Sequence, residues 1–281
     1  MCSTVCSVRD LWTRHSCRSG RSTAGAGSGN RCAVVGAVRE ANRVETDDVG
    51  DEILVEQIDY YRARAPEYDR WFRREGRYDR GVEATSRWFA EVAELMAALD
   101  ELPLDGAAIL ELAPGTGIWT ERLVVRSADV TAVDSSPEMI EHNVQRLGDR
   151  AERVRYIQAD LFEWVPDRVY DGVVFCFWIS HVPDERLNGF LSTVAAALRP
   201  GGWFFFVDGL REDTSTAMDH VLPEAGVEVM TRRLDDGREF RIVKNYWTLD
   251  ELTRRTRAAG LVVDVRETRT YFQYGAGTRI Q

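Results

Sequence analysis

The sequence is almost without lysine: of its 36 lysine and arginine residues only one, Lys244, is a lysine. We interpret the excess of arginine as a mark of GC-rich coding. Acidic residues are more numerous still, and the formal net charge is −10. Such a charge argues against a surface that follows nucleic-acid phosphates and against one that binds anionic lipids. The composition therefore predicts no nucleic acid and no membrane among the partners.

Long hydrophobic runs are also missing. The longest, Val173–Ile179 and Trp203–Val207, are far too short to cross a bilayer. The N-terminus has arginines but no continuous apolar segment followed by a cleavage site, so we expect no secretory signal. A hydrophobic fraction of 44% over 281 residues fits a globular protein with one large domain, and we predict a cytoplasmic location.

Cysteine is scarce, and its spacing predicts no metal site. Four of the five cysteines (2, 6, 17 and 32) lie near the N-terminus, where no C-x-x-C pair occurs and His15 is the only nearby histidine. The fifth, Cys176, lies within F-C-F-W and is expected to be a buried packing residue.

Residues 1–45 are rich in Ser, Gly, Arg and Ala and show no sustained hydrophobic period. Up to residue 43 the segment has seven arginines against two acidic residues, a net charge of +5. This composition buries too little apolar surface to fold, which predicts a disordered or non-native head, with a natural start near Val44 as one hypothesis. An amphipathic targeting segment is the alternative, which Asp10 and the weak periodicity disfavour.

The remaining residues, 46–281, are predicted to form a single domain whose parts differ in hydrophobic spacing. Helical spacing comes first, then short apolar strands that alternate with helices, then an insert with a hairpin, and last a helix and strands. This order predicts an α/β fold with a Rossmann-like, doubly wound, mainly parallel seven-stranded sheet, an antiparallel C-terminal strand and a helical N-terminal lid. The four parts are residues 52–100, 107–207, 210–247 and 248–281.

Local signals predict where individual elements begin and end. Thr85 or Ser86 is suited to cap the long helix of the lid, and Ser136 to cap the helix after the second strand. Arg199–Gly202, R-P-G-G, predicts the end of a helix. In the insert, Asp236-Gly237 predicts a tight hairpin turn.

Glycines and acidic residues follow three successive predicted strands. Ile109–Gly117 reads I-L-E-L-A-P-G-T-G, a buried strand that runs into a turn with Gly115 and Gly117. Asp134 closes the next strand, and Asp160 follows the third. Glycines let the backbone approach a ligand closely. A carboxylate at the end of the next strand, as Asp134 is, can bind the hydroxyls of a ribose. Since the carboxyl ends of parallel strands meet at one crevice, the pattern predicts a site for an adenosine-containing cofactor.

These segments resemble class I S-adenosylmethionine-dependent methyltransferases. The resemblance rests on E-L-A-P-G-T-G, V-D-S-S-P-E-M-I, Q-A-D-L-F-E-W, D-G-V-V-F-C-F-W-I-S-H and L-R-P-G-G, in this order between residues 107 and 207. At the level of architecture it covers roughly residues 52–281. The resemblance implies S-adenosyl-L-methionine as the cofactor and in-line transfer of its methyl group. We predict that the acceptor is a small organic molecule, methylated on oxygen or nitrogen.

The resemblance implies a role for each residue that matches the family pattern. Glu111, Ala113, Gly115 and Gly117 match the turn that supports the methionine end of the cofactor, although the family often has glycine where Ala113 stands. Asp134 matches the acidic residue that binds the ribose.

Further matches concern the adenine and the transferred methyl group. Met139 matches the apolar residue that packs on adenine, while Asp160 and Leu161 match residues that bind its amino group and ring. Phe177 and Trp178 match positions that line the methyl-donor pocket. The expected cofactor contacts are completed by Ser135 and Tyr61.

Two alternative functions remain open. One is an oxidoreductase that binds NAD, although the third glycine of G-x-G-x-x-G would then stand where the chain has Thr120, and Trp119 would crowd a pyrophosphate. A cationic sulfonium also suits the three acids Glu111, Asp134 and Asp160 better than an anionic dinucleotide does. The other alternative is a methyltransferase-like domain that has lost its chemistry and acts as a binding protein.

His181 is the candidate general base for a hydroxyl acceptor, because it follows the fourth strand in W-I-S-H-V-P. The alternative is that it only packs the loop before Pro183. The insert is expected to form one wall of the acceptor site or else a scaffold or dimer element, so both a monomer and a homodimer remain open. The lid is expected to exclude water from the active site through Tyr60, Tyr61, Arg64, Tyr68 and Trp71. The residues expected to contact the acceptor are Tyr68, Trp71 and Trp178.

Overall fold

The computed structural model describes residues 37–224 and 226–281, with side chains from residue 50 onward. The chain divides into two units, residues 1–44 and 45–281, and the second contains every strand of the described residues. The prediction of a disordered or non-native head, and that of no metal site among its cysteines, fall almost wholly outside the described residues and stay predictions.

Seven α-helices and nine strands make up the described part of the chain. The helices are α1 (Ala37–Arg64), α2 (Tyr68–Phe72), α3 (Val82–Asp100), α4 (Thr120–Arg126), α5 (Pro137–Leu147), α6 (Asp184–Ala197) and α7 (Leu249–Ala258). The strands are β1 (Ala108–Leu112), β2 (Asp129–Asp134), β3 (Val154–Gln158), β4 (Tyr170–Cys176), β5 (Leu198–Gly209), β6 (Val229–Arg233), β7 (Glu239–Val243), β8 (Leu261–Glu267) and β9 (Phe272–Arg279).

Seven of these strands form one sheet, in the order β3-β2-β1-β4-β5-β9-β8. Neighbours from β3 to β5 pair in parallel, whereas β9 runs antiparallel to both β5 and β8. The prediction of a mainly parallel seven-stranded sheet with an antiparallel C-terminal strand is therefore confirmed. The remaining two strands, β6 and β7, form a separate hairpin within the insert.

The core lies on both faces of the large sheet, because successive residues of a strand point to opposite sides. In β1, Ile109 packs in a cluster with Trp88 of α3 and Leu123 of α4. The next residue, Leu110, packs in a second cluster with Leu191 of α6. All five side chains are fully buried, and helices cover both faces as predicted.

One predicted helix start is wrong. The long lid helix, α3, begins at Val82 rather than after a cap at Thr85 or Ser86. Gly81 precedes it with φ +88°, a conformation that glycine adopts without strain, and no side chain caps the helix. The turn before α3 thus ends on a glycine, and the two hydroxyl residues lie inside the helix.

At Arg199–Gly202 the helix ends within one residue of the prediction, but the segment itself belongs to a strand. The helix α6 ends at Ala197, and R-P-G-G belongs to β5, which begins at Leu198. Gly201 has φ +73°, and the pairing of β5 with β4 shifts register beside it. The glycines therefore form the irregular start of a strand instead of the C-cap of a helix.

The other predicted boundaries are close to those observed. Ser136 caps α5, accepting a hydrogen bond from Met139 N at 3.1 Å. Thr248 and Glu251 form a capping box at the start of α7. The insert hairpin turns at Asp236-Gly237, as its sequence predicts.

The lid, predicted over residues 52–100, packs on the insert through the described end of α1. Tyr60 of α1 is buried in a small cluster with Met230 of β6 and Ile242 of β7. The two parts of the chain thus meet although they are far apart in sequence.

Within the described residues, every helix is too short or too polar to span a bilayer.

Candidate functional site

The carboxyl ends of β1, β2, β3 and β4 form the edge of the sheet where the predicted site residues lie. The strand order reverses between β1 and β4, since the chain winds towards β3 on one side and towards β5 on the other. In open α/β sheets the loops diverge at such a point and leave a crevice in which ligands bind. The turn after β1 and the turn after β4 are the two sides of this crevice.

The turn after β1 contains three residues with positive φ: Ala113 at +51°, Gly115 at +54° and Gly117 at +87°. Glycine adopts this conformation freely, whereas a residue with a Cβ atom is strained by about 1–2 kcal/mol. Ala113 carries this strain at the position where the related family often has glycine. A Cβ atom at Gly115 would meet no atom within 4 Å, so the turn leaves open space beside this residue.

Asp134, at the end of β2, connects the glycine turn to α5. Its carboxylate is 8% exposed and accepts hydrogen bonds from Gly115 N at 3.1 Å and from Ser136 N at 2.9 Å. Burial raises the pKa of this carboxyl to about 6, although the backbone donors lower it. At neutral pH the group is therefore mostly ionised and held in place by two backbone amides.

Glu111, in β1, lies beneath the glycine turn and is 2% exposed. Its Oε2 atom is buried and has no hydrogen-bond partner among the described residues. Burial raises its pKa to about 8, a hydrogen bond with Thr120 lowers it, and the charge of Asp134 raises it further. A buried carboxyl with an unsatisfied oxygen would be stabilised by a cationic ligand above it.

The turn after β3 brings Asp160 and Leu161 to the same crevice. The Oδ1 atom of Asp160 accepts a hydrogen bond from Phe162 N at 2.9 Å, which fixes the turn. Two adjoining hollows of about 410 and 420 Å³, partly open to solvent, lie along these strand ends, and we call them together the strand-end cleft. The residues that line both hollows are Tyr61, Ala113, Asp134, Ser135 and Trp178.

The two hollows of the strand-end cleft differ in their remaining walls. Asp160 and Leu161 line the first hollow. Gly115, Met139 and Phe177 line the second. The predicted adenine-binding acid and the predicted methyl-donor residue thus line different hollows of the cleft, while Met139, predicted to pack on adenine, lines the same hollow as Phe177.

Phe177, which follows β4, has φ +59°, an unusual conformation for a residue other than glycine. Its backbone N–H donates to Val207 O at 2.7 Å, and its ring contacts the ring of Trp71 with a centroid distance of 5.0 Å. Both β5 and the lid therefore hold this strained residue in place. The neighbouring thiol, Cys176, is buried, and burial holds its pKa well above the usual value, as a packing role requires.

A buried asparagine that sequence analysis missed positions the glycine turn. Asn143 of α5 donates to Thr120 Oγ1 at 2.8 Å and accepts from Tyr156 Oη at 2.8 Å. A Cβ atom at Gly117 would lie 2.7 Å from Asn143 Cγ, so glycine is needed there for packing as well as for its φ. No motif marks Asn143, because its role depends on how closely α5 approaches the turn.

An acidic residue of the lid, Asp69 in α2, was also missed. It accepts a hydrogen bond from Thr116 Oγ1 at 2.6 Å and forms an ion pair with Arg146 of α5. Arg146 in turn donates to Thr116 O at 2.7 Å. Asp69 thus couples the position of the lid to that of the glycine turn.

A further cavity lies between the lid, the insert and the loop after β4, and we call it the lid cavity. It encloses about 640 Å³, partly open to solvent. Tyr61, Tyr68 and Phe177 line both this cavity and the strand-end cleft, so the two spaces are adjacent. Trp71 and His181 also line the lid cavity.

His181 is 6% exposed and makes two side-chain hydrogen bonds within the lid cavity. Its Nδ1 atom lies 2.7 Å from Val243 O, and its Nε2 atom lies 2.8 Å from the Tyr61 hydroxyl. A carbonyl can only accept, so Nδ1 carries the proton and Nε2 accepts from Tyr61. Burial, and then the charge of Lys244, lowers the pKa of His181 to about 3, which keeps the imidazole neutral.

The insert forms a wall of the lid cavity and is fastened to the lid. Ser215 O accepts hydrogen bonds from Trp71 Nε1 and from Arg74 Nη1, both at 2.9 Å. The guanidinium of Arg74 also lies over the ring of Trp88, 4.5 Å from its centroid. Insert residues that line the cavity are Ser215, Thr216, Arg232, Ile242, Lys244 and Tyr246.

The only lysine of the chain, Lys244, is buried at the edge of the lid cavity. Its Nζ atom donates to Ser180 Oγ at 2.6 Å and lies 3.0 Å from Asp208 Oδ1. Burial by itself raises the pKa of Asp208, but the positive charge of Lys244 keeps it below the usual value. The charge of Lys244 is therefore balanced inside the protein.

Most of the predicted site residues line these two spaces. Glu111 and Gly117 line neither space, since one lies beneath the glycine turn and the other packs against Asn143. Trp178 lines the strand-end cleft, where the methyl donor is expected, and does not line the lid cavity. In the described part of the chain, no three His, Cys, Asp or Glu side chains come together so that they could hold a metal ion.

Comparison with known proteins agrees with this geometry. The family model of a methyltransferase domain matches residues 78–265. Two solved structures, a DhpI-SAH complex and a DhpI-SAM-HEP complex, superpose with a TM-score of 0.65. They are 35% and 36% identical to this chain, and the superposition covers 81% of it and 97% of the DhpI chain.

Two curated relatives match over shorter stretches. An uncharacterized methyltransferase of Geobacillus sp. (strain WCH70) is 27% identical over 190 residues, which are 66% of this chain and 85% of that protein. A ubiquinone biosynthesis O-methyltransferase of Bordetella avium (strain 197N) is 28% identical over 162 residues, which are 56% of this chain and 63% of the relative.

The strand-end cleft fits the cofactor of such proteins by its chemistry. Asp134 and Asp160 line it, and the buried carboxyl of Glu111 lies beneath the glycine turn with one oxygen unsatisfied. Carboxylates suit a cationic donor with a free ribose and repel the pyrophosphate of a dinucleotide. The methyltransferase prediction is confirmed and the NAD alternative finds no support. The chain belongs to the methyltransferase-domain family and is an enzyme that takes its methyl group from S-adenosylmethionine.

Proposed function

We propose that this enzyme methylates an oxygen atom of a small organic molecule that binds in the lid cavity. The observation that carries the proposal is that Tyr61, Tyr68 and Phe177 line both the strand-end cleft and the lid cavity. A methyl donor in the cleft and an acceptor in the cavity would face each other beside these aromatic side chains. In-line displacement requires this arrangement of donor and acceptor.

For the cofactor, we assign one role to each wall of the strand-end cleft. Asp134 accepts from the ribose hydroxyls, since its carboxylate is already held at the mouth of the glycine turn by two amides. Asp160 and Leu161 bind the edge of the adenine, and Met139 packs on its face. Glu111 supports the methionine end from beneath the turn. When bound, S-adenosylmethionine supplies a methyl group on a positively charged sulfur atom.

For the acceptor, we assign water exclusion to the lid and the insert. Trp71 and Arg74 donate to the same carbonyl of the insert, that of Ser215, so the two parts close the lid cavity together. Excluding water protects the donor from hydrolysis and strengthens electrostatic interactions at the reacting atoms. The name of the Bordetella relative, an O-methyltransferase, supports oxygen as the methylated atom.

For the proton of a hydroxyl acceptor, we propose a role for Tyr61 that depends on His181. The Tyr61 hydroxyl donates to the neutral His181 Nε2 at 2.8 Å, so its own oxygen lone pairs are left to accept from an acceptor hydroxyl. With a pKa of about 3, His181 holds a proton poorly at neutral pH. We therefore propose that it orients Tyr61 and that bulk water at the open side of the cavity takes the proton released from the acceptor hydroxyl. That His181 itself acts as the base stays a prediction.

The proposed function is tested with S-adenosylmethionine labelled in its methyl group and a fractionated extract of small molecules. We expect label in a small organic product, with one S-adenosylhomocysteine formed for each methyl group transferred. Asp134→Asn should transfer much less label from the same mixture. Binding of S-adenosylhomocysteine without label in any small molecule, or label in macromolecules alone, would contradict the proposal.

A further inference from the structure

We infer that the acceptor carries an oxyanion group, which Arg64 and Arg232 bind inside the lid cavity. The inference rests on the proposed function, because it assigns the chemical class of the molecule that the cavity takes. It comes from two guanidinium groups that line the same cavity without an acidic partner among the described residues.

Arg64, the last residue of α1, is 8% exposed and lines the lid cavity. Among the described residues it makes no ion pair, and its buried Nε atom has no hydrogen-bond partner. Its guanidinium carbon lies 4.9 Å from the ring centroid of Tyr68, 5.5 Å from that of Tyr60 and 6.0 Å from that of Trp71. A buried, always ionised side chain is thus surrounded by aromatic rings. Its charge acts on the carboxyl of Glu67, but no described carboxylate lies within ion-pair distance of it.

Arg232 reaches the lid cavity from the other side, on β6 of the insert hairpin. Its Nη1 atom donates to Thr216 Oγ1 and lies 2.7 Å from His220 Nδ1, both of which are neutral partners. Burial, and then the charge of Arg232, lowers the pKa of His220 to about 3 and so keeps it uncharged. The Nε atom of Arg232 is also buried without a partner in the described part of the chain.

No described residue of the cavity wall offsets these two charges. The described residues that line the lid cavity include neither aspartate nor glutamate. Lys244 adds no free charge, because Asp208 balances it at 3.0 Å. The cavity is therefore positively charged, whereas the chain as a whole has a net charge of −10. A buried charge without a partner is costly, and a ligand that brings the opposite charge removes this cost on binding.

The aromatic rings around Arg64 do not remove the need for such a ligand. They contact the flat face of the guanidinium, where cation–π attraction acts. The N–H donors of arginine lie in the plane of the group, and a planar fork of donors matches the paired oxygens of a carboxylate, a phosphate or a phosphonate. Two such forks, from the lid and from the insert, point to an oxyanion rather than to a halide or a thiolate.

The inference is tested by calorimetric titration of the full chain saturated with S-adenosylhomocysteine. The probes are methylphosphonate, butyrate and, as an uncharged analogue, 1-butanol. We expect at least one anion to bind about tenfold or more tightly than the alcohol, and the stronger anion tells a phosphorus oxyacid from a carboxylic acid. Arg64→Gln and Arg232→Gln should each weaken that anion about tenfold or more, because each removes one fork of donors.

Matched controls lie next to both arginines. Arg62, two residues before Arg64, and Arg233, next to Arg232 on the strand, do not line the cavity, so Arg62→Gln and Arg233→Gln should leave anion binding unchanged. All four variants should bind S-adenosylhomocysteine like the unmodified chain. If Arg64→Gln does not fold, the anion affinities of Arg232→Gln and Arg233→Gln decide the test, because Arg232 lies on a separate part of the chain.

The possible failures are distinguishable. If S-adenosylhomocysteine binds normally and neither anion exceeds 1-butanol, the oxyanion inference is wrong and the proposed function stands. The same conclusion follows if the control variants weaken the anion as much as the cavity variants do. If the chain does not bind S-adenosylhomocysteine at all, the proposed function fails and the inference fails with it.

Discussion

The strand-end cleft and the lid cavity share three aromatic residues but are built in opposite ways. The cleft is formed mainly by residues 113–178, which follow the carboxyl ends of four neighbouring strands. The lid cavity draws on the lid, the insert and the start of β9, so that its wall extends from residue 61 to residue 272. The proposed cofactor site is thus local in sequence, whereas the proposed acceptor site exists only after distant segments have packed together.

The two spaces also differ in charge, and the difference follows their proposed ligands. Asp134 and Asp160 line the cleft, with Glu111 beneath the glycine turn, which suits a cationic sulfonium. Arg64 and Arg232 line the lid cavity, which suits an anionic acceptor. Opposite charges on donor and acceptor also favour their approach in a space with little water. If the two spaces serve separate ligands in this way, changes in one should leave ligand binding in the other intact.

The largest expected effect comes from the acceptor side. His181→Ala removes the group that orients the Tyr61 hydroxyl, and we expect kcat to fall about 100-fold or more, with the affinity for S-adenosylhomocysteine unchanged. Tyr61→Phe should lower kcat by a similar factor. The double variant, with His181→Ala and Tyr61→Phe together, should lower kcat no further, because both substitutions act through the Tyr61 hydroxyl. Steady-state kinetics and calorimetry measure the two quantities.

His142→Ala, on α5 and outside the lid cavity, is the control for the loss of a histidine. Above pH 5 the neutral His181 should add no step to the pH profile of kcat, because its pKa is about 3. Nearly normal turnover in His181→Ala, or additive losses in the double variant, would show that Tyr61 and His181 do not act as one unit.

A smaller effect, on binding alone, is expected in the cleft. Asp134→Asn replaces an ionised acceptor by a neutral amide, and the affinity for S-adenosylhomocysteine should fall about 10- to 100-fold. Asp129→Asn is the matched control, since Asp129 lies on the same strand at its far end. Calorimetry measures the affinity of each variant for S-adenosylhomocysteine. Equal affinities would show that Asp134 does not bind the ribose.

The pH dependence of cofactor binding sharpens the same assignment. The pKa of Asp134 is raised by burial to about 6, so the carboxylate is ionised at pH 7 and mostly protonated at pH 5. If only the ionised form binds the ribose hydroxyls, affinity for S-adenosylhomocysteine should fall about tenfold as the pH drops from 7 to 5. In Asp134→Asn this fall should disappear. A fall of the same size in that variant would assign the titration to another group.

The last expected effect is on fold stability rather than on turnover or binding, and it concerns the glycine turn. Gly117→Ala places a Cβ atom 2.7 Å from Asn143 Cγ at a residue with φ +87°, and the free energy of unfolding should drop by roughly 2–3 kcal/mol. Gly260→Ala, with φ +79° and no atom within 4 Å of the added methyl group, should lose only about 1 kcal/mol. Chemical denaturation measures both, and equal losses would mean that Asn143 moves aside.

Sequence analysis succeeded where the determining contacts are local. Ser136 caps α5 through a residue three positions away, and the glycine turn forms within Ala113–Gly117. It failed where tertiary contacts override a local signal. Arg199–Gly202 does follow the end of α6, yet it lies inside β5 as an irregular segment, because Leu198 before it and Trp203 after it both pair with β4. Likewise Thr85 and Ser86 lie inside α3, because the turn at Gly81 already ends at the helix start.

Sequence analysis alone predicted the sheet, its antiparallel last strand and the cofactor, because hydrophobic periodicity and the motifs that resemble the methyltransferase family each span a few residues. The construction of the proposed acceptor site could not be predicted in this way. The Tyr61–His181 pair joins residues 120 positions apart, and Arg64 meets Arg232 across one cavity. No local pattern encodes such pairs, since they depend on how the lid and the insert pack over the sheet. For that reason the methyl donor could be predicted from motifs, while the charge that we propose for the acceptor rests on the folded chain.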